Sequence, residues 1–483
     1  MKIALCSVYY YTNAWNKSGT YATSSPLGLG YIASYLIKNG HDVKILDDNV
    51  LSINQLKSEI SCFNPDIVGF TTYTVSAKNS FLIAEWVKEL NPNIKVVLGG
   101  PHATYLPAET LAHGCVDIVV SGEGEETMVE LSEKLTKGES LRGVKGVLYK
   151  DEKGHIIDNG PRPLIKDLDS MLFPAHELFA IDKYRGSVFR KFSNNSLSSI
   201  ITSRGCPHRC TFCSHKMFGS KVRFRSAENV IDEMQLLFEN FKVKEFYFLD
   251  DTFTLNKKRV MDICDLLLKR GLNIDWSCNL RVNNASEELF LKMKEAGCKG
   301  VLIGAESASQ EVLDLMKKDI TVGQIVHAVA LAKKYFENVL CSFIFGMPGD
   351  TLEGAYKTIE FAKKIDPDYA DFFIATPLPG SELYDQAVER KLIDKKKMGG
   401  SGEVVMTYGM EVVVEMSGIK KEDLIMLVKK AHSKFYFRLS YILKRLSKIR
   451  STITIYHYIL GVRKVIRSQF VSDKNLFKSK YQS

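Results

Sequence analysis

The sequence has no uninterrupted apolar run approaching the ~18 residues that a membrane-spanning helix requires, so no spanning segment is expected. No secretory leader is expected either: Met1-Lys2 opens a short apolar run that reaches Thr12-Asn13 without a small-residue cleavage site. Acidic residues almost vanish near the C-terminus, where Asp473 stands alone against fourteen Lys and Arg between Lys429 and Ser483. The net charge of +9 therefore belongs to the tail, and the preceding residues are slightly acidic. Cysteine is sparse, ten in 483 residues, and the seven outside one short loop (Cys6, Cys62, Cys115, Cys264, Cys278, Cys298 and Cys341) are scattered through mostly apolar segments. That scatter excludes a disulfide framework and implies the reduced thiols of a cytoplasmic protein. What is present, 45% hydrophobic and 25% charged residues, is the composition of a globular protein with a sizeable core. The length implies about two to four domains.

The remaining three cysteines converge in Ile200-Ile-Thr-Ser-Arg-Gly-Cys206-Pro-His-Arg-Cys210-Thr-Phe-Cys213, a C-x3-C-x2-C arrangement directly after an apolar, β-prone run. Three thiolates on one tight loop make a metal site. A structural zinc or a fully protein-ligated iron–sulfur cluster takes four protein ligands. Two readings of the residues follow: His208 or His215 completes a Cys3His zinc site, or the loop holds a cluster with one iron open.

Upstream, residues 2–8, 42–47, 66–72, 95–98 and 116–121 read as short apolar strands. Helical patterns lie between them, including 26–40, closed by Gly40, and 76–90. This alternation predicts a doubly wound parallel sheet over 1–140, with its ligand beyond the strands' carboxyl ends. Those ends carry Thr71-Thr72-Tyr73-Thr74, Gly99-Gly100-Pro101-His102 and Gly122-Glu123-Gly124-Glu125, whose glycines and small hydroxyls let a large flat ligand approach the backbone. A plain Rossmann-like domain fits the spacing equally well. Residues 141–195 read as a linker containing a small β element, and Tyr184–Ser199, basic and aromatic, as an approach that lines a substrate entrance.

From 196 to 390 strand and helix alternate regularly. The strand before Cys206 and those at 245–249, 274–278, 299–303, 339–345 and 369–375 make six, predicting a partial (β/α)6 barrel. Its strand ends carry Asp250-Asp251, Asn279-Leu280-Arg281, Gly304-Ala305-Glu306-Ser307, Gly346-Met347-Pro348-Gly349-Asp350 and Thr376-Pro-Leu-Pro-Gly380. Turns and caps explain the glycines and prolines, but not two carboxylates, an arginine and a glutamate at the reactive face of a βα barrel. In the basic region 391–483, Asp423–Lys448 reads as an amphipathic helix whose apolar face caps the core; Ile453–Ile466 continues apolar and basic. Contact with an anionic membrane or with RNA are the alternatives for such a face.

With its aromatic Phe212 before the third cysteine, the cysteine loop resembles the signature of the radical S-adenosylmethionine (SAM) enzymes. The resemblance implies that Cys206, Cys210 and Cys213 hold a 4Fe-4S cluster whose fourth iron is chelated by SAM. Pro26-Leu-Gly-Leu, Gly40-His-Asp-Val, Gly99-Gly-Pro-His-Ala and Gly122-Glu-Gly-Glu look like the cobalamin-binding domain that precedes the radical core in one SAM subgroup. So do the Asp-Asp-x-Phe, Gly-x-Glu-Ser, Gly-Met-Pro-Gly-Asp and Thr-Pro-x-Pro-Gly segments of the core, and the resemblance runs to about residue 390. It implies cobalamin contacts from Thr72, Thr74, Gly99, Gly100, His102, Gly122 and Glu123. The family's Asp-x-His-x-x-Gly is replaced by Tyr9-Tyr-Tyr-Thr-Asn13, so cobalamin without a histidine on cobalt is expected.

For SAM, Asp250 or Asp251 is expected at the ammonium, Arg281 at the carboxylate, Glu306 at the ribose and Gly346 to Pro348 at the adenine. The implied activity is radical C-methylation of an unactivated carbon through a 5′-deoxyadenosyl radical and methylcobalamin. A radical oxidative cyclase or rearrangement enzyme, like the anaerobic Mg-protoporphyrin ester cyclase, is the alternative. An RNA methylthiotransferase would need a second cluster and an RNA-binding barrel not seen here. Expected partners are a small-molecule substrate of lipid or other hydrophobic type and a flavodoxin- or ferredoxin-type electron donor. The basic C-terminal region offers peripheral membrane contact; a nucleic-acid partner is not expected.

Overall fold

The structure is a computed structural model that describes residues 1–9, 24–184, 196–214, 216–393 and 414–447. The first sheet has the order β2-β1-β3-β4-β5-β6-β7, with β1 Lys2–Ser7, β2 Asp42–Asp47, β3 Ile67–Thr71, β4 Lys95–Gly99 and β5 Ile118–Val120 mutually parallel. Along β1, Ile3 and Leu5 enter one apolar cluster, while Ala4 and Cys6 enter another on the opposite face. That two-sided burial is why these strands read as continuous apolar runs rather than alternating ones. Each fully buried Ile or Leu contributes about 1.5–3 kcal/mol.

β6 (Val147–Lys150) and β7 (Ile156–Asp158) extend this sheet antiparallel beyond β5. The small β element at the start of 141–195 thus completes the first sheet. The following connector packs on both domains: a Cβ on Gly30 would sit 2.5 Å from the Phe179 ring, and Leu168, Met171, Phe179 and Tyr184 share a core with barrel residues such as Ile200 and Phe248.

The second sheet comprises β8 (Leu197–Ile200), β11 (Glu245–Phe248), β12 (Asp275–Leu280), β13 (Cys298–Glu306), β14 (Asn338–Phe345) and β15 (Tyr369–Ile374). All are parallel and neighbours in chain order, the topology of a partial βα barrel. Between β8 and β11 lies a two-stranded ribbon, β9 (Ser203–Arg204) against β10 (Arg223–Phe224). Ser226, Ser286, Thr321, Thr351 and Ser381 each cap a barrel helix by accepting a backbone N–H, which fixes where each helix begins.

The C-terminal amphipathic segment forms two helices, Lys421–Tyr436 and Leu439–Ser447, where one was expected. Leu424, Leu427, Ala431 and Phe435 are buried. The Tyr436 hydroxyl accepts from the Ala370 N–H and donates to its carbonyl, covering the edge strand β15. Basic residues of these helices pair with the barrel: Arg438 and Lys444 reach Asp366, and Lys434 reaches Glu360. Among the described residues no helix is long and apolar enough to cross a membrane. The expected stretch Ile453–Ile466 and the approach at 185–195 lie outside the described residues.

Candidate active site

The cysteine loop leaves the ribbon at Gly205, whose φ of +93° favours glycine. A Cβ there would sit 2.8, 2.9 and 3.1 Å from the carbonyl oxygens of Lys221, Gly219 and Phe218, so the returning chain closes directly over it. The loop is pinned by Cys206 N–H to Gly219 O (3.3 Å), Cys213 N–H to Cys210 O (3.1 Å) and Thr211 N–H to Met316 O (2.9 Å). Burial pushes the Cys206 thiol up, and burial followed by the nearby Asp251 carboxylate pushes Cys213 up to about 12. Thiols so placed ionise when a metal takes the proton's place. Arg281, buried just past β12, brings Nη1 to 3.6 Å from the Cys210 sulfur, while its Nε and Nη2 have no hydrogen-bond partner. A buried guanidinium with open donors beside three cysteines fits an anionic cluster and a ligand carboxylate. Among the described residues no three His, Cys, Asp or Glu side chains converge on a point suited to a single ion; His215 lies outside those residues.

The two aspartates after β11 separate. Asp250 is buried and accepts from Thr202 N (2.8 Å), Thr202 Oγ1 (2.5 Å), Ser203 N (2.6 Å) and Ser203 Oγ (2.9 Å). With both oxygens so engaged, it holds the segment entering the cysteine loop, in place of the ammonium contact expected for it. Asp251 is exposed and close enough to Cys206 and Cys213 to raise both thiols. Asn279, which sequence reasoning left without a role, accepts from Tyr247 Oη (2.5 Å) and donates to Asp250 O (3.0 Å).

Glu306 sits at a register shift in β13 with φ +61° and pairs with Lys318 at 2.7 Å, both buried. Lys318 was not anticipated. It lies between two residues of positive φ, Lys317 and Asp319, and its ammonium stands 5.7 Å from the Phe212 ring of the cysteine loop. Gly346, with φ +79°, donates its N–H to Asp350 Oδ2 (2.9 Å), and a Cβ there would meet Leu424 at 2.9 Å. The Gly346–Pro348 turn is therefore backed by the C-terminal helix.

At the carboxyl edge of the first sheet, Gly100 has φ +88°, and a Cβ would lie 2.8 Å from Thr72 N and 2.9 Å from Thr71 Oγ1. The Thr72 hydroxyl is buried without a partner. His102 is fully buried, with Nδ1 3.2 Å from Thr74 Oγ1 and no partner on Nε2; burial lowers its pKa to about 4, so the ring is neutral. Gly122 donates its N–H to Thr104 Oγ1 (3.0 Å). Glycine backbone with unpartnered Thr72 and His102 atoms fits a large neutral-faced ligand. Glu123 departs from the expectation: it accepts from Ile165 N (2.7 Å) and pairs with Arg204 (2.8 Å) and Arg223 (2.9 Å), so it belongs to the contact between domains. Of the first-strand loop only Tyr9 is described.

Tyr105 joins this edge to the barrel. Its hydroxyl donates to Ser214 O (2.9 Å) and accepts from Met217 N (2.8 Å), and its ring lies against Gly380, where a Cβ has no room. The cysteine loop, the Thr376–Gly380 segment and the first domain thus meet at one side chain.

A βα partial barrel with three loop cysteines, behind a doubly wound domain with a glycine-lined edge, defines a radical SAM enzyme carrying a cobalamin domain. The Radical SAM superfamily model matches residues 200–362 and the B12 binding domain model matches residues 20–132. An uncharacterized methyltransferase of Pyrococcus horikoshii is 40% identical over 430 residues, covering 87% of this chain and 90% of that protein. The anaerobic magnesium-protoporphyrin IX monomethyl ester cyclase of Rubrivivax gelatinosus is 31% identical over 370 residues, 75% of this chain and 66% of that one. Among solved structures, the cobalamin-dependent SAM radical enzyme OxsB with aqua-cobalamin and SAM bound aligns with TM-score 0.68 at 20% identity, covering 97% of this chain and 72% of that one. The radical SAM methyltransferase TsrM of Kitasatospora setae aligns with TM-score 0.65 at 20% identity, covering 80% and 75%. This chain belongs to the cobalamin-dependent radical SAM enzymes, and its cofactors are a 4Fe-4S cluster, SAM and cobalamin.

Proposed function

We propose that this enzyme transfers a methyl group to an unactivated carbon of a small-molecule substrate. The observation that carries the reading is the Tyr105 junction, which places the carboxyl edge of the first domain against the cysteine loop. Two reactive centres brought this close suit a reaction in which one activates a carbon and the other delivers a group to it. When bound, the cluster with SAM supplies the hydrogen-abstracting radical, and methylcobalamin supplies the methyl group.

The chain's own residues do the positioning. Cys206, Cys210 and Cys213 hold the cluster, and Arg281 offers its open donors to the SAM carboxylate. Asp251, the aspartate near Cys206 and Cys213, is assigned to the SAM ammonium. Glu306, oriented by Lys318, is assigned to the ribose, and the Gly346–Pro348 turn to the adenine. Thr72, Thr74, Gly99, Gly100, His102 and Gly122 line the cobalamin side. The cluster's electron comes from a flavodoxin- or ferredoxin-type donor. Several relatives carry methyltransferase names, among them the cytidylyl-2-hydroxyethylphosphonate methyltransferase of Streptomyces wedmorensis and the hopanoid C-3 methylase of Methylococcus capsulatus.

The experiment needs no substrate. Reconstituted enzyme with reduced cobalamin is incubated anaerobically with SAM, and S-adenosylhomocysteine is quantified against the methylcobalamin spectrum. Equal amounts of both support methyl transfer. SAM cleavage to 5′-deoxyadenosine with no S-adenosylhomocysteine would favour the cyclase-type alternative, a reading supported by the match to the ester cyclase.

A further inference from the structure

Both feet of the cysteine loop are gripped by the first domain. The loop leaves the ribbon at Arg204 and returns at Arg223, which face each other across it. Both guanidinium groups reach one carboxylate: Arg204 Nη1 is 2.8 Å and Arg223 Nη1 2.9 Å from Glu123 Oε1, and Arg204 Nη2 is 2.6 Å from Glu125 Oε1. The four side chains are at most 9% exposed, and their charges cancel, two against two. Arg204 also lies between the rings of Tyr31 (5.3 Å) and Phe218 (5.4 Å). Burial opposes its charge, but Glu125 and Glu123 outweigh that and hold its pKa above the ordinary value.

Buried ion networks contribute little to stability compared with apolar packing; their best-attested use is to fix one geometry. Here the fixed geometry is the position of the cluster loop. Glu123 sits in the turn after β5 and Glu125 opens the helix Glu125–Lys137 that follows it, on the same sheet edge as Gly100 and the unpartnered Thr72 hydroxyl. One turn and the helix start it leads into therefore border the first domain's ligand edge and hold the loop of the second.

We propose that the Glu123/Glu125–Arg204/Arg223 network couples the two cofactor sites, with Glu123 and Glu125 as positioning residues, so that filling the cluster site changes the affinity for cobalamin. The coupling is reciprocal by thermodynamic linkage. It rests on the assignment of cobalamin to the first domain.

The test titrates hydroxocobalamin into the full-length protein under anaerobic conditions, with and without a reconstituted cluster, following the visible spectrum. Wild type is expected to show dissociation constants differing by at least about fivefold between the two states. Glu125→Gln, which leaves Glu123 holding both arginines, and Arg204→Lys, which keeps the charge but loses the planar fork, bring that ratio to within about twofold of unity on the same scale. Far-UV circular dichroism identifies folded variants, and if one fails to fold the other carries the test. Equal wild-type affinities in the two states would overturn the coupling, and a ratio preserved in both variants would overturn the role of this network. Absence of cobalamin binding in either state would instead overturn the cofactor assignment on which the inference rests.

Discussion

Replacing Asp250 tests what its carboxylate does. In Asp250→Ala the backbone N–H groups of Thr202 and Ser203 lose their acceptor, as do both hydroxyls. The hydroxyls can rotate, and Thr202 Oγ1 keeps its contact with Arg259 Nη1 at 2.9 Å. The two amides cannot turn elsewhere. At about 1–3 kcal/mol for a buried donor left unmade, which applies fully to the Thr202 amide and in part to the half-buried Ser203 amide, the loss is about 2–4 kcal/mol, a large part of the ~5–15 kcal/mol that holds a domain folded. Asp250→Asn keeps the oxygen that accepts from both amides and costs about 1–2 kcal/mol. Because Thr202-Ser203 runs directly into Arg204-Gly205-Cys206, the damage is expected at the cluster. Thermal unfolding of the apoprotein and iron per chain after anaerobic reconstitution should both fall in the order wild type, Asp250→Asn, Asp250→Ala. The SAM dissociation constant of cluster-loaded Asp250→Asn should stay within about threefold of wild type, under 1 kcal/mol. An Asp250→Ala protein of wild-type stability and iron content that no longer binds SAM would refute this reasoning and return Asp250 to the SAM ammonium.

Further outcomes follow from the same geometry. Gly205→Ala forces a Cβ against three carbonyl oxygens at φ +93°; the conformation alone costs about 1–2 kcal/mol, and reconstituted iron content should fall well below wild type while the circular dichroism spectrum is kept. Lys318→Met removes the ammonium beside Glu306 and should weaken SAM binding about tenfold, or about 1.4 kcal/mol, without loss of iron; unchanged SAM affinity would exclude this pair from the site. His102 has its pKa lowered from 6.5 to about 4, so the unfolded chain binds the proton first. Its contribution to stability is complete above pH 6.5 and is lost as pH falls towards 4, by up to about 3 kcal/mol. Urea midpoints at pH 7 and pH 5 should accordingly differ less in His102→Gln than in wild type.

Local pattern made much of the fold legible. Apolar runs such as Glu245–Leu249 and Val339–Phe345 announced strands because parallel strands are buried on both faces. The cysteine loop and the strand-end residues were legible for the same reason: a βα barrel puts its chemistry at one set of positions. Pairings distant in sequence were not. Glu123 stood among ligand-edge residues, and nothing local reveals that Arg204 and Arg223, 81 and 100 residues away, hold it. Lys318 sits in a run, Lys317-Lys318-Asp319, that reads as solvated surface; a left-handed residue on each side of it, neither a glycine, accompanies its burial. The two aspartates after β11 were seen together, but alternation says only that one points inward, and the acceptor role of Asp250 depends on donors 47 and 48 residues upstream.

The measurement that bears most directly on the account is metal analysis of protein purified anaerobically and reconstituted with iron, sulfide and hydroxocobalamin, together with its visible spectrum. The account predicts about four irons per chain, as a 4Fe-4S cluster, and equimolar cobalt. Four irons without cobalt would contradict it, leaving a radical enzyme whose first domain serves another ligand.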